Sequence, residues 1–472
     1  MPAAGFGLWN TVAVQSHTGP LLDALSAAVG HPVERSSLVS SGADHLPSAF
    51  AVTDLAVASI ANAAGAARRV AALAGGSPSA PITVDRRLAS IWFGVTFDPI
   101  GWTSPPVWDS IAGVYPCGDS FVRLHTNAPH HKAAALRALD CEEDRGAVTN
   151  AVASWDPLDL EAAVVAEGGV ASALRTRHEW VLHPQGAALQ SEPLVHHHQH
   201  VAERLTDLPV TSRRPLGGVR VLDLTRVLAG PVATRLLAGL GADVLRIDPP
   251  AWDEAGVAAE VNLGKRCARL DLRDDQDRAI FEQRLREADV LLHGYRRDAL
   301  ARLGYDEGAR RRINPSLVDV SLNAWGHSGP WRDRRGFDSI VQIAAGVAHH
   351  GMVAYGLDAP KPLPVQALDH ATGYTLASCA LHGWADRVEH GEASTWRTSL
   401  AAHAELLWPT ADGAHLEVGF APLGDPDLAR GQESTSWGPV RRARPPLSIG
   451  GVGFAWPNGS ADHGTSPPTW RN

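Results

Sequence analysis

The chain has 472 residues, 44% of them hydrophobic and 20% charged, which is too long for one ordinary core and too apolar for a disordered protein. Its formal net charge of −9 lacks the basic footprint of a nucleic-acid binder. The four cysteines (Cys117, Cys141, Cys267, Cys379) form no CxxC pair and no run of eighteen apolar residues occurs, so the residues indicate no zinc site, disulfide framework or spanning helix.

The opening, MPAAGFGLWNTVAVQSHTG, has no basic region followed by an apolar one, and a cytoplasmic protein is expected. Residues 50–74, FAVTDLAVASIANAAGAARRVAALA, read as a buried alanine-rich helix. A strand is expected at Phe121–His125, with helices at His131–Leu139 and Leu158–Glu167. His125, His130 and His131 in RLHTNAPHH read as strand and turn, with the lining of a ligand pocket as the alternative. The polar stretch 191–217 reads as a break, with a short helix near Val201–Leu205. Its histidines (His196–His198 and His200) are of a kind that binds metal, but without carboxylate or cysteine companions they read as a solvated loop.

Residues 218–248 then give strand, turn, helix and strand, one βαβ unit. An apolar run, Val219–Leu224, precedes the Gly230–Pro231 turn; a second, Val244–Ile247, ends at Asp248. The intervening helix has free N–H groups at its start and can receive a phosphate. Strands at Ala288–Leu292 and Leu317–Leu322 and a helix from Asp369 follow, an α/β pattern with a mostly parallel sheet. The G-x-G-x-x-G spacing of a dinucleotide site is absent from RVLAGPVATRLLAG, which turns the unit away from NAD chemistry.

Two long segments echo one another, 50–92 and 365–408. Each has an aspartate at a helix start (Asp54, Asp369), small residues, a glycine break and a second helix ending in tryptophan. TSPPVW at 103–108 is echoed by TSPPTW at 465–470. The shared order favours duplication.

Six segments, GVRVLDLTRVLAGPVATRLLAGLGADVLRID, VNLGKRCARLDL, ADVLLHGYRRDALARLGY, NPSLVDVSLNAWGHSGP, GFDSIVQIAAG and ALDHATGYTLASCAL, carry a resemblance. They resemble the class III CoA-transferases, the group of formyl-CoA and carnitine-CoA transferases and α-methylacyl-CoA racemases. The resemblance implies an α/β fold, a Rossmann-like large domain with a parallel sheet plus a smaller α+β domain. It divides the chain into a partial family copy (1–195), a linker (196–217) and a CoA-binding domain with the aspartate helix (218–472). It implies transfer of CoA from an acyl-CoA to a carboxylic acid, with Asp369 as the nucleophile that passes through a mixed anhydride and an aspartyl-CoA thioester. It matches Val227, Leu228 and Ala229 to the turn approaching CoA, and Lys265, Arg266 and Arg302 to cations near its phosphates. CoA would be a substrate, with no resident cofactor, metal, nucleic-acid or membrane partner, and the assembly a homodimer or a pseudo-dimer within one chain.

Taken as residues, Asp369 could instead cap its helix. Gly373 would let a ligand or backbone come close. Asp54 has Ala58 where Asp369 has Gly373, and reads as a cap. The chain departs from the family at Gly294–Asp298, which lacks the asparagine and Pro-Gly turn, and at Phe337, where racemases carry a histidine base. Phenylalanine cannot abstract a proton, which argues against racemisation. The altered 294–298 loop and truncated first copy also fit a non-catalytic CoA-binding subunit.

Overall fold

A computed structural model describes residues 16–202, 210–295, 297–413, 415–417 and 419–471. The apolar runs assemble into a seven-stranded sheet, in the spatial order Arg266–Arg269, Asp243–Asp248, Arg220–Leu224, Val290–His293, Val318–Asn323, Glu392–Ser399 and His196–Val201. Six strands are parallel and the last is antiparallel. A parallel sheet covered on both faces needs strands apolar on both sides, and Val221, Leu222, Val244, Leu245, Leu291 and Leu292 are all buried. One face packs on helices Ala229–Gly239 and Ala367–His390, the other on Asp275–Glu287.

A smaller α+β unit has strands Gly113–Cys117, Ser120–Leu124 and Ala171–Ala173 and helices Pro129–Leu139, Arg145–Ala153 and Pro157–Ala166, around its own core of Tyr115, Val122, Leu160 and Val164. The fold class is therefore α/β with a smaller α+β part, as the sequence implies.

The division of the chain differs. Residues 196–217, expected as a linker, begin with the edge strand His196–Val201, paired to Arg397–Glu392. Its polar side chains suit a sheet edge facing solvent, and His197 stacks on Trp396 at 3.6 Å. Of the helix expected at Val201–Leu205, Val201 is strand and 203–209 lie outside the described residues. Nor do 1–195 and 218–472 separate: one core holds Leu21, Leu55, Val221, Leu376 and Ile449 together. The strands near the C-terminus return to the first half, Leu447–Ile449 pairing with Ile82–Val84 and Gly438–Arg442 with Phe97–Pro99.

The repeat has a structural counterpart. Helices Val52–Leu73 and Ala367–His390, bearing Asp54 and Asp369, pack against each other. Each is followed by a strand and a short helix: Ile82–Asp85 then Arg86–Trp92, and Glu392–Ser399 then Leu400–Leu407. Residues 395–399, ahead of the second helix of the later segment, are strand, because they continue the central sheet beside Asp319–Asn323.

Candidate active site

The turn after strand Arg220–Leu224 is held in an unusual shape. Val227 has φ 64°, a left-handed conformation that a β-branched residue rarely adopts. The Glu254 carboxylate accepts its N–H at 2.9 Å. Glu254 also accepts from Trp252 Nε1 at 3.1 Å and from the fully buried guanidinium of Arg246. Arg246 is fixed in turn by Asp248 and Asn262, each at 2.8 Å. Burial alone would raise the Glu254 carboxyl, but Arg246 outweighs it and holds it down to about 2. A buried strand residue thus fixes an acid that fixes the strained turn.

Two glycines bring this turn to Asp369. A Cβ on Gly373 would stand 2.5 Å from the Ala229 carbonyl oxygen, and one on Gly230 would stand 2.2 Å from Thr225 Cβ. The close approach foreseen at Gly373 is therefore to backbone.

Asp369 lies in the first turn of its helix, where N–H groups and the helix dipole favour an anion. Its own N–H donates to Asp338 at 2.9 Å. Asp338 comes from the first turn of helix Asp338–Ala344 and also accepts from the Gln342 side chain. The two buried carboxyls oppose each other's ionisation. Burial, then the Asp338 charge, hold Asp369 well above the usual carboxylate range. Burial pushes Asp338 up to about 6 despite the N–H groups of Asp369 and Leu368. Burial and the neighbouring carboxyl thus favour the protonated form in this pair.

Asp369 stands where two clefts meet. The smaller, about 330 Å³, is lined by Arg226, Ala229, Tyr295, Arg332, Arg334, Arg335 and His131. The larger, about 540 Å³, is lined by Pro105 to Asp109, His125, Leu228 and Ala255 to Val257. Val227, Trp252, Phe337 and His130 border both. Val227, Leu228 and Ala229 thus line the clefts together with Asp369. His125, His130 and His131 prove to line clefts, with His125 stacked on Phe337 at 3.8 Å.

The expected cations are placed otherwise. Lys265 is buried and donates to Asp223 at 3.0 Å, so its charge is spent inside the fold. Arg266 is paired with Asp243 at 2.8 Å. Neither lines a cleft. Arg302 is exposed at the end of helix Arg297–Arg302, one turn beyond Ala299, which lines the smaller cleft.

The arginines of that cleft went unread in the sequence. Arg226 donates to the Tyr295 hydroxyl at 2.8 Å and lies over the Trp252 and Tyr295 rings at 4.4 and 4.8 Å. Arg334 is tied to Glu161 at 2.8 Å and Arg335 donates to the Gly168 carbonyl at 3.0 Å. The signal for Arg332, Arg334 and Arg335 was the run WRDRR directly before the Gly-Phe-Asp block.

Asp54 lines neither cleft. It is buried and accepts from Arg86 at 2.6 Å, the Thr18 hydroxyl at 2.9 Å and the His17 N–H at 2.7 Å. Burial opposes ionisation, but these donors outweigh it and hold the carboxyl below its usual range. Among the described residues, Asp386, Glu389 and His390 stand near enough together for a cation, but Arg69 already pairs with Asp386 and Glu389. No helix among the described residues is long and apolar enough to cross a membrane.

Residues 216–430 match the family model described as CoA-transferase family III. The likeness to that family lies in this region of the chain. An acyl-CoA transferase of Gibberella moniliformis is 31% identical over 327 residues, covering 64% of this chain and 57% of that protein. A succinate–glutarate CoA-transferase of Agrobacterium fabrum is 37% identical over 161 residues, 30% of this chain and 40% of that protein. A solved CAIB/BAIF family protein from Brucella suis covers 48% of this chain and 65% of its own, at 25% identity and a TM-score of 0.38. The chain thus spans between 40% and 57% of the length of these two curated relatives.

Proposed function

We propose that the chain transfers CoA from an acyl-CoA thioester to a carboxylic acid, with Asp369 as nucleophile. The observation that carries this reading is the position of Asp369 where an arginine-lined cleft meets an apolar one. The arginine cleft suits the phosphates of CoA, because guanidinium groups bind phosphate through paired N–H donors. The Val227–Ala229 turn would lie against the thiol end of CoA.

Asp369 Oδ attacks the thioester carbonyl carbon, the C–S bond breaks and CoA thiolate leaves. The thiolate then attacks the Asp369 carbonyl of the mixed anhydride, which releases the donor acid and leaves an aspartyl-CoA thioester. The acceptor carboxylate attacks that thioester, the freed thiolate attacks the acceptor's acyl carbon, and Asp369 is restored. Covalent catalysis splits one hard exchange into easier steps. Attack requires the ionised form of Asp369, which its burial and the Asp338 carboxyl oppose. Asp338 holds the backbone of Asp369 and sets the pH at which Asp369 ionises. Because Phe337 supplies no base, the product is expected to stay free of deuterium after turnover in D₂O.

The test is CoA exchange between an acyl-CoA and a labelled acid, followed by mass. Exchange by the intact chain and its loss in Asp369→Ala are expected. CoA binding without exchange would instead favour the CoA-binding subunit. A homodimer in the cytoplasm belongs to the same proposal, and light scattering on the 50.1 kDa chain tests the assembly.

A further inference from the structure

The walls of the larger cleft bear on the acyl group. Pro105, Pro106, Val107 and Trp108 line it together with Trp252, Ala255, Val257 and Phe337. Val107 and Trp108 are 44% and 38% exposed. Large apolar side chains left open side by side in a concavity mark a ligand contact.

This wall is built rather than loose. The Asn127 side chain donates to the Val107 carbonyl at 2.7 Å and accepts the Asp109 N–H at 3.1 Å. Asp109 is also held by Lys132 and Thr126, each at 2.8 Å. A Cβ on Gly256 would stand 2.5 Å from the Pro106 carbonyl oxygen, so glycine lets the helix Ala255–Val261 meet the loop. The echoing TSPPTW segment puts its tryptophan to another use, since Trp470 is buried against the second face of the central sheet. Of the two copies, the one at 103–108 leaves its tryptophan in a cleft beside Asp369.

Apart from two histidines, the ionisable side chains that line this cleft are acids, with the cations that pair Asp109 and Glu254 lying outside the lining. Its acidic lining residues are Asp109, Asp253, Glu254, Asp338 and Asp369, and no lysine or arginine lines it among the described residues. Its histidines are His125 and His130; burial holds buried His125 well below its usual range, so it is neutral. Arg123 lies behind the wall, over the Trp108 ring at 4.7 Å.

We infer that the larger cleft takes an apolar or aromatic acyl group that carries no second carboxylate. The inference rests on the CoA-transfer reading, which puts the thioester carbonyl at Asp369. A dicarboxylic acyl chain would bring its free carboxylate out of water beside acidic side chains, with no lining lysine or arginine to meet it. An apolar chain instead gains about fourfold in affinity per buried methylene.

The experiment is calorimetric titration of the intact chain with 2-oxoalkyl thioether analogues of hexanoyl-CoA and succinyl-CoA, which cannot transfer CoA. The hexanoyl analogue is expected to bind at least 30-fold more tightly, and Trp108→Arg to narrow that gap at least tenfold. Val107→Lys, at a more exposed side chain, is expected to act likewise and serves should Trp108→Arg fail to fold. Equal or tighter binding of the succinyl analogue, or a preference unmoved by either cation, would overturn the inference. The parallel exchange assay separates the two proposals. If the ranking holds while neither acyl-CoA is exchanged, the transfer reading fails and the cleft's preference stands. If exchange occurs with the ranking reversed, only the acyl preference fails. If neither analogue binds, both fail.

Discussion

Asp54 and Asp369 both stand in the first turn of long buried helices, Val52–Leu73 and Ala367–His390, that pack on one another. Asp54 meets Arg86, Thr18 and the His17 N–H, and its carboxylate is enclosed. Asp369 meets a second carboxyl, Asp338, and borders two clefts. Both helix starts offer the same backbone help. What distinguishes them is the neighbouring side chain: a cation ionises Asp54 and occupies it, whereas an acid leaves Asp369 raised and available to a ligand. The sequence echo therefore preserves a scaffold rather than a chemistry.

The sharpest way to break this comparison is to remove each carboxylate. Asp369→Ala is expected to lower CoA exchange by at least about 10³-fold with little change in stability. Asp54→Ala is expected to leave kcat within about threefold, while urea unfolding shows a loss of about 3–5 kcal/mol because Arg86 is left buried and unpaired. Similar losses of exchange in both would contradict the distinction.

A smaller effect is expected from the support of the turn. Glu254→Gln weakens the grip on the Val227 N–H and leaves the Arg246 charge less well matched. A fall in kcat/KM of about 10–100-fold is expected, the range found when a supporting partner of a site is lost. Unchanged kinetics would separate the strained turn from the chemistry.

The smallest effect is the response to pH. The raised Asp338–Asp369 pair contributes stability that is present at low pH and lost as pH rises through about 6 and above. The depressed Asp54 acts in the opposite sense, contributing stability above the ordinary aspartate pKa that is lost as pH falls through its lowered value. Asp369→Asn should therefore raise stability more at pH 8 than at pH 5. Asp54→Asn should be most destabilising at pH 7 and lose its effect in acid. Exchange activity should rise with pH through the titration of the pair.

Much of this was legible locally. The βαβ unit, the strands at 290–293 and 318–323 and the aspartate helix follow from apolar runs, turn residues and small-residue periodicity over short stretches. The Val227–Ala229 turn and Asp369 were legible through the family-like blocks. What escaped depends on distant partners. HHHQHV has no apolar alternation, and becomes a strand because Glu392–Arg397 offers it an edge. Lys265 looks like a phosphate ligand until Asp223 is found beside it. Arg332, Arg334, Arg335 and the wall 105–108 come to the clefts beside Asp369 only after segments far apart in the chain have folded together.

The most direct test is chemical capture of the intermediate. The chain is mixed with an acyl-CoA and hydroxylamine, digested, and mapped by mass spectrometry. The account predicts a hydroxamate at Asp369, dependent on the acyl-CoA, and none at Asp54. A hydroxamate at Asp54, or none at Asp369 while CoA exchange proceeds, would contradict it.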